Sequence, residues 1–367
     1  MIDDFQREIS YLRISVTDRC NLRCRYCMPP EGIPSLPMEE ILTFEETARI
    51  CRAAAQMGIS RIKITGGEPL VRKGLPDLIR RISAIPGIRQ VTLTTNGVLL
   101  ADQLPDLMQA GISAVNISLD SLNPDRYREI TGSDALGKVL TGLRVAIKSG
   151  IRTKVNAVLC RELHKDALDL LILAEHYPVD VRFIELMPIG LGRDYEGLSG
   201  TDFLAELKAL YPGMTRDETC RGNGPAVYYR VPGFKGSIGF INAIHDKFCD
   251  RCNRMRLTST GQLKPCLCYG EGIDLRAILR GTDAVADAEG VQLPGSAQAA
   301  PEGSPDSGGY GHTDSISGGA DDGMAGASVD AALLAAFRQA AAGKPGEHCF
   351  EAQAGISETK KMVMIGG

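Results

Sequence analysis

Six short β-branched runs recur between residues 11 and 187, separated by longer stretches with helical spacing. The runs are YLRISVT (11–17), RIKIT (61–65), VTLTTN (91–96), AVNISLD (114–120), TKVNAVL (153–159) and VDVRFIEL (179–186). The spacing between them predicts helices over 41–57, 74–85, 101–110, 134–148 and 165–176. Alternating strands and helices argue for βα units and a parallel sheet. Six such strands fit a partial, curled (β/α)6 barrel, and a flat doubly wound sheet has the same periodicity.

Polar punctuation falls just after these runs. Cysteines follow the first, Gly66-Gly67-Glu68-Pro69 the second, Asn96-Gly97 the third, Asp120-Ser121 the fourth and Met187-Pro188 the sixth. In parallel α/β folds the carboxyl ends of the strands carry the site. Glycine and proline punctuate any chain, so the shared edge carries more information than any one turn.

The cysteines are CNLRCRYC, with Cys20, Cys24 and Cys27 inside eight residues. Thiolates are soft ligands suited to zinc, copper(I) and iron–sulfur clusters. Three of them can hold a [4Fe–4S] cluster and leave one iron open, and Arg19, Arg23 and Arg25 can offset its charge. A zinc site completed by a distant histidine or cysteine is the alternative. Eleven cysteines, no apolar run of membrane length and an acidic start, MIDDFQREIS, point to a reducing, cytoplasmic setting. The net charge of −4 provides no global basic surface, so neither a nucleic-acid nor a membrane partner is expected.

CNLRCRYC resembles the signature of the radical S-adenosylmethionine superfamily, and GGEP at 66–69 resembles its methionine-binding turn. That resemblance implies a partial βα barrel with a cluster near its mouth. A second dense segment, FCDRCNRMRLTSTGQLKPCLC, carries Cys249, Cys252, Cys266 and Cys268. Four sulfurs here could form a zinc ribbon, and Arg251, Arg254 and Arg256 would suit nucleic acid. Arginine forks match the phosphates of a small molecule equally well.

Taken together, YLRISVTDRCNLRCRYCMP, ITGGEPL, TTNG, NISLDSL, KVNAVL, RFIELMP, FCDRCNRMRLTSTGQLKPCL and the terminal Gly366-Gly367 resemble the GTP 3′,8-cyclase family, which begins molybdenum cofactor synthesis. The resemblance implies two [4Fe–4S] clusters, on Cys20, Cys24 and Cys27 and on Cys249, Cys252 and Cys266. It implies S-adenosylmethionine beside Tyr26, Gly67, Ser118 and Met187. GTP would meet Arg13, Arg254 and Arg256 through its triphosphate, with Thr94 and Lys154 completing the pocket. Lys63 stands where the family commonly has arginine. Lysine keeps the charge and loses the bidentate fork.

By the same resemblance, Gly366 and Gly367 enter the cavity and serve catalysis. Glycine alone threads a narrow space at low steric cost. A homodimer and a downstream partner, cyclic pyranopterin monophosphate synthase, are also implied, and the electron donor is left open. Structurally the same residues have plainer readings: Met187 as packing, Tyr26 as a lid, Thr94 as a strand former, Arg13 as a surface charge. Two other functions compete, a peptide-modifying radical enzyme with an auxiliary cluster and a zinc-containing nucleic-acid module. The zinc module leaves the first triplet unexplained.

The expected organisation is a core over 1–190, an α+β region carrying the second cysteine motif over 191–280, a low-complexity insertion over 281–328, and a terminal helix with the diglycine tail over 329–367. Gly281 to Phe337 has no lysine or arginine and is rich in Gly, Ser, Ala and Asp, so disorder is expected there. The five histidines form no dyad motif, and Cys51 and Cys160 read as ordinary thiols.

Overall fold

A computed structural model describes residues 1–219, 222–281, 321–351 and 355–365, the backbone alone for 321–325. Gly366 and Gly367, and residues 282–320 of the 281–328 insertion, lie outside the described residues.

The six expected strands are β1 (Tyr11–Ser15), β2 (Arg61–Thr65), β3 (Gln90–Thr95), β4 (Ala114–Ser118), β5 (Arg152–Leu159) and β6 (Asp180–Glu185). They pair in parallel in chain order, without the order reversal of a doubly wound sheet. The intervening helices are α1 (Phe44–Gln56), α2 (Leu75–Ser83), α3 (Leu100–Gln109), α4 (Pro124–Thr131), α5 (Leu136–Lys148), α6 (His164–Asp169) and α7 (Leu171–His176).

Helix α1 starts at a capping box. Thr43 Oγ1 accepts the Glu46 N–H at 3.1 Å, and Glu46 Oε2 accepts the Thr43 N–H at 2.7 Å. Helix α4 was not expected from periodicity. It has strong boundaries: Asn123 Oδ1 accepts the N–H groups of Asp125 and Arg126, Pro124 opens the first turn, and Gly132 closes it at φ 67°.

Period-2 alternation sorts the sheet into two chemistries. Leu12, Ile14, Ile62, Ile64, Leu93, Val115, Ile117, Val155 and Phe183 are all buried in the apolar core. Arg13, Lys63, Thr92, Thr94, Asn116, Ser118, Lys154, Asn156 and Arg182 occupy the alternate positions. Parallel sheets ordinarily bury apolar residues on both faces. A polar second face therefore marks a ligand surface rather than a second core.

The chain continues through α8 (Gly200–Leu210) into β7 (Thr215–Asp217), β8 (Val227–Arg230) and β9 (Ile238–Ile241). Strand β9 pairs parallel to β6, and β8 and β7 follow antiparallel. Next come β10 (Arg254–Leu257), β11 (Gln262–Lys264), β12 (Ile273–Asp274) and α9 (Leu275–Arg280). Strand β10 returns to pair parallel with the free edge of β1, matching Arg13 to Arg256. One twelve-stranded sheet results, in the order β12-β11-β10-β1-β2-β3-β4-β5-β6-β9-β8-β7.

The last helix, α10, runs from Asp321 to Ala342, starting eight residues before the 329–341 segment expected from the pattern. Its Leu333 and Phe337 are fully buried in the same core.

Candidate active site

The first cysteine loop is held from outside by α4. The Arg23 N–H donates to Thr131 O at 2.8 Å and the Arg25 N–H to Ile130 O at 3.0 Å. Inside the loop, the N–H groups of Cys27 and Met28 both donate to Cys24 O at 2.8 Å. The Arg23 side chain bonds the carbonyls of Cys20 and Leu22. Its backbone is thus fixed before any ligand is considered.

Glycines 66 and 67 are explained by close approach. A Cβ on Gly67 would lie 2.3 Å from Arg19 O, and one on Gly66 would lie 2.7 Å from Thr17 O. The Gly67 N–H donates to Thr17 O and the Glu68 N–H to Arg19 O, both at 2.7 Å. These amides are committed, so what Gly67 offers a ligand is its carbonyl. A carbonyl suits an ammonium group.

Glu68 is a buried hub missed in the sequence. Its Oε1 accepts from the Leu70 N–H at 3.0 Å and the Thr95 hydroxyl at 2.6 Å, and Oε2 accepts the Asn96 N–H at 2.6 Å. Burial pushes its carboxyl up to about 7, against the pull of these three bonds. The Asn96 amide then bonds Asn21 Oδ1 at 2.8 Å, tying the end of β3 to the cysteine loop. Asp120 does similar work, accepting the Tyr26 hydroxyl at 2.6 Å and the Val158 N–H at 2.8 Å.

The second triplet sits on the β10–β11 side. Cys249 and Cys252 flank a single 3-10 turn, and Cys266 follows β11. Lys344 donates to Arg254 O at 2.9 Å and to Pro265 O at 2.6 Å, binding both arms together. Cys249 O accepts from Arg7 Nη1 at 2.8 Å, and Arg7 is itself paired with Asp3.

All six of these cysteines line one cavity. So do Tyr26, Gly67, Ser118 and Met187, and Arg13, Thr94, Arg254 and Arg256. Lys63 and Lys154 lie two residues deeper on the same strand faces than the wall residues Thr65 and Asn156. With its amide turned to fit its neighbours, Asn116 Oδ1 accepts from Lys63 Nζ at 2.5 Å and from Arg182 Nη2 at 3.0 Å. Lys154 Nζ meets Asp180 Oδ2 at 3.0 Å and the Tyr228 hydroxyl at 2.6 Å. Arg182 and Asn116 were missed in the sequence, although strand alternation places both on the same face as Lys154 and Asn156.

The arginines set the field. Burial, then the guanidiniums of Arg254 and Arg182, lower Arg13 to about 10, with Tyr11 opposing. Burial, then Arg13 and Arg254, lower Arg256 to about 9. Among the described residues, the buried Nε atoms of Arg13 and Arg254 have no hydrogen-bond partner. Like charges crowded in a low-dielectric corner, with donors unspent, call for an anion.

The thiols respond oppositely. Burial raises Cys24 well above the usual thiol range and Cys27 up to about 12. At Cys252 burial also raises, but the charges of Arg254 and Lys344 outweigh it and the thiol is lowered. Cys268 is absent from the cavity wall and is buried in an apolar cluster with Ile189, Phe350, Ile356 and Ile365. Met362 and Val363, just before the diglycine, do line the cavity. Among the described residues no three His, Cys, Asp or Glu side chains converge on a single-ion site.

A Radical SAM superfamily model matches residues 14–173, and a Molybdenum Cofactor Synthesis C model matches 179–292. Curated GTP 3′,8-cyclases of Clostridium perfringens, Pelotomaculum thermopropionicum and Alkaliphilus metalliredigens are 45%, 47% and 48% identical to this chain. The alignments cover 76% of this chain and 87–88% of each relative. This chain belongs to the GTP 3′,8-cyclase family. It has a radical-SAM-type α/β amino-terminal region and a distinct carboxyl-terminal domain. Streptococcus suis SuiB bound to precursor peptide SuiA shares the fold at 15% identity, with a TM-score of 0.51 over 71% of this chain and 60% of that one.

Proposed function

We propose that this chain converts GTP to (8S)-3′,8-cyclo-7,8-dihydroguanosine 5′-triphosphate, the opening reaction of molybdenum cofactor synthesis. The observation that carries the proposal is the convergence of Arg13, Arg254 and Arg256 on the cavity both cysteine triplets share. Family membership supports the same reading. In this reading β1–β6 curl as a partial barrel around that cavity.

The donors fit two [4Fe–4S] clusters. Each triplet supplies three soft thiolates and leaves one iron for a small-molecule ligand. Cys20, Cys24 and Cys27 would hold the first and Cys249, Cys252 and Cys266 the second. Bound there, the first cluster would supply the electron for reductive cleavage of S-adenosylmethionine.

This chain's residues do the positioning. Gly67 offers a carbonyl to the methionine ammonium, and Tyr26, Ser118 and Met187 border the same ligand. Arg13, Arg254 and Arg256 clamp the triphosphate, and the purine would face the second cluster. The ribose is thereby held between them, where hydrogen transfer demands approach to about 3–3.5 Å. Thr94, Lys63 and Lys154 complete the floor, Lys63 through the Asn116–Arg182 network. The chain works as a homodimer whose product passes to cyclic pyranopterin monophosphate synthase. By the family resemblance, Gly366 and Gly367 serve catalysis in this reading.

Anaerobic enzyme with [3′-2H]GTP should yield deuterated 5′-deoxyadenosine and the cyclised nucleotide in equal amounts. Arg254→Ala should weaken GTP binding about 10–100-fold, as charge-assisted bonds imply, and leave guanosine binding unchanged. Equal losses for both ligands would remove triphosphate recognition. Undeuterated 5′-deoxyadenosine with no cyclised product would remove the activity.

A further inference from the structure

Two thiols outside both triplets meet at the base of the tail. Cys268 and Cys349 are 81 residues apart in sequence, yet their sulfurs lie 3.3 Å apart. Cys268 is fully buried, and Cys349 is half-buried. The room around Cys349 is specific to glycine: a Cβ on Gly355 would lie 2.9 Å from its Sγ, and Gly355 O accepts the Cys349 S–H at 2.9 Å. Beyond Gly355 the chain lies on the Cys268 loop. The Glu358 N–H donates to Cys268 O at 3.2 Å, and Ser357 Oγ accepts the Gly270 N–H at 2.9 Å. The same strap then delivers Met362 and Val363 to the cavity.

We propose that Cys268 and Cys349 are a redox modification site, forming a reversible disulfide that pins the tail against the Cys266 loop. The oxidant is a small-molecule disulfide of the glutathione class. Cys349, the accessible sulfur, attacks one sulfur of that disulfide; its S–S bond breaks and one small thiol leaves. Cys268 then attacks the mixed disulfide at Cys349, forms the protein S–S bond and expels the second small thiol. The two protein thiols are oxidised by two electrons, one small disulfide is reduced to two thiols, and the two protons pass to them. Closing the sulfurs from 3.3 Å to about 2.05 Å requires side-chain rotation within the apolar pocket. In a reducing compartment the pair stays open, so the bond reports a shift in thiol poise. The pin restrains the segment that brings Met362 and Val363 to the cavity wall, and uses none of the six triplet cysteines.

The test uses cluster-loaded protein, equilibrated anaerobically over a series of oxidised-to-reduced glutathione ratios, quenched by alkylation and mapped by mass spectrometry. The expected product is a Cys268–Cys349 peptide pair lighter by two hydrogens, with iron content unchanged. Fragment ions separate Cys268 from Cys266. Cys268→Ala should stop at glutathione on Cys349, and Cys349→Ser should give neither product. Amide exchange over 356–365 should slow on the order of tenfold in the oxidised wild type. Glutathione persisting on Cys349 of the wild type, or a bond to Cys266 with loss of iron, would overturn the site. Unchanged exchange in a cross-linked protein would overturn the pinning.

Discussion

Replacing Glu68 with glutamine keeps the shape of the hub and removes its charge. In the folded chain this carboxyl ionises near 7, against 4.5 ordinarily. The folded state therefore holds a proton that the unfolded chain has already released. Stability from this group is fully present below about 4.5 and drains away as pH rises through 7, a loss of roughly 3 kcal/mol. Glutamine does not titrate, so Glu68→Gln should lack this slope. Its Oε1 can still accept from Leu70 and Thr95, but its NH2 must face the Asn96 N–H, at a cost of about 1–3 kcal/mol. The variant should be clearly weaker than wild type at pH 5 and nearly level with it at pH 8. Urea unfolding of the metal-free chain across that range reads the difference. Parallel profiles for the two proteins would show that Glu68 is not a buried proton acceptor and would refute the reasoning.

Lys264 and Glu358 form a fully buried ion pair, so Lys264→Met, which strands Glu358 as a buried charge, should cost about 3–5 kcal/mol in urea melts, whereas Lys264→Met with Glu358→Leu should recover most of that loss. Phe337→Ala should empty a fully buried site in α10 and cost about 3–5 kcal/mol, seen as a lower Tm. Cys266→Ala should lose the second iron signal in Mössbauer spectra while Cys268→Ala retains both, since only Cys266 lines the cavity; the reverse pattern would exchange their roles. Deleting Gly366 and Gly367 should spare iron content and nearly abolish cyclised product, and normal product from the deletion would make the tail dispensable.

The strands were legible because alternation in a parallel sheet writes both faces into local sequence. Tyr11–Ser15 and Arg61–Thr65 read directly as extended runs. Helix α4 was not read: its boundary residues Asn123, Pro124 and Gly132 are strong, but only three of its residues are buried, too few for a periodic stripe. The cysteine triplets announced themselves by spacing. Glu68, Asp120 and Lys344 did not, since each acts by bonding backbone atoms brought near only by folding. Cys349 had no local signal either. Its partner lies on another loop, and the pairing exists only once the tail is laid down.

The return of β10 to β1 bears on how the chain is made. On a ribosome, β1 emerges early and gains β2 on one side, but its other edge waits for Arg254–Leu257. At ordinary synthesis rates of about 5–20 residues per second, that wait is roughly 10–50 s. An open edge of that duration is a template for pairing with other nascent chains. The first cysteine loop is complete long before the second exists, so a cluster delivered during synthesis meets a half-built cavity with one wall missing. Biogenesis of this enzyme is therefore exposed to two competitions, strand capture at β1 and premature metallation of Cys20, Cys24 and Cys27, and both end when β10 docks.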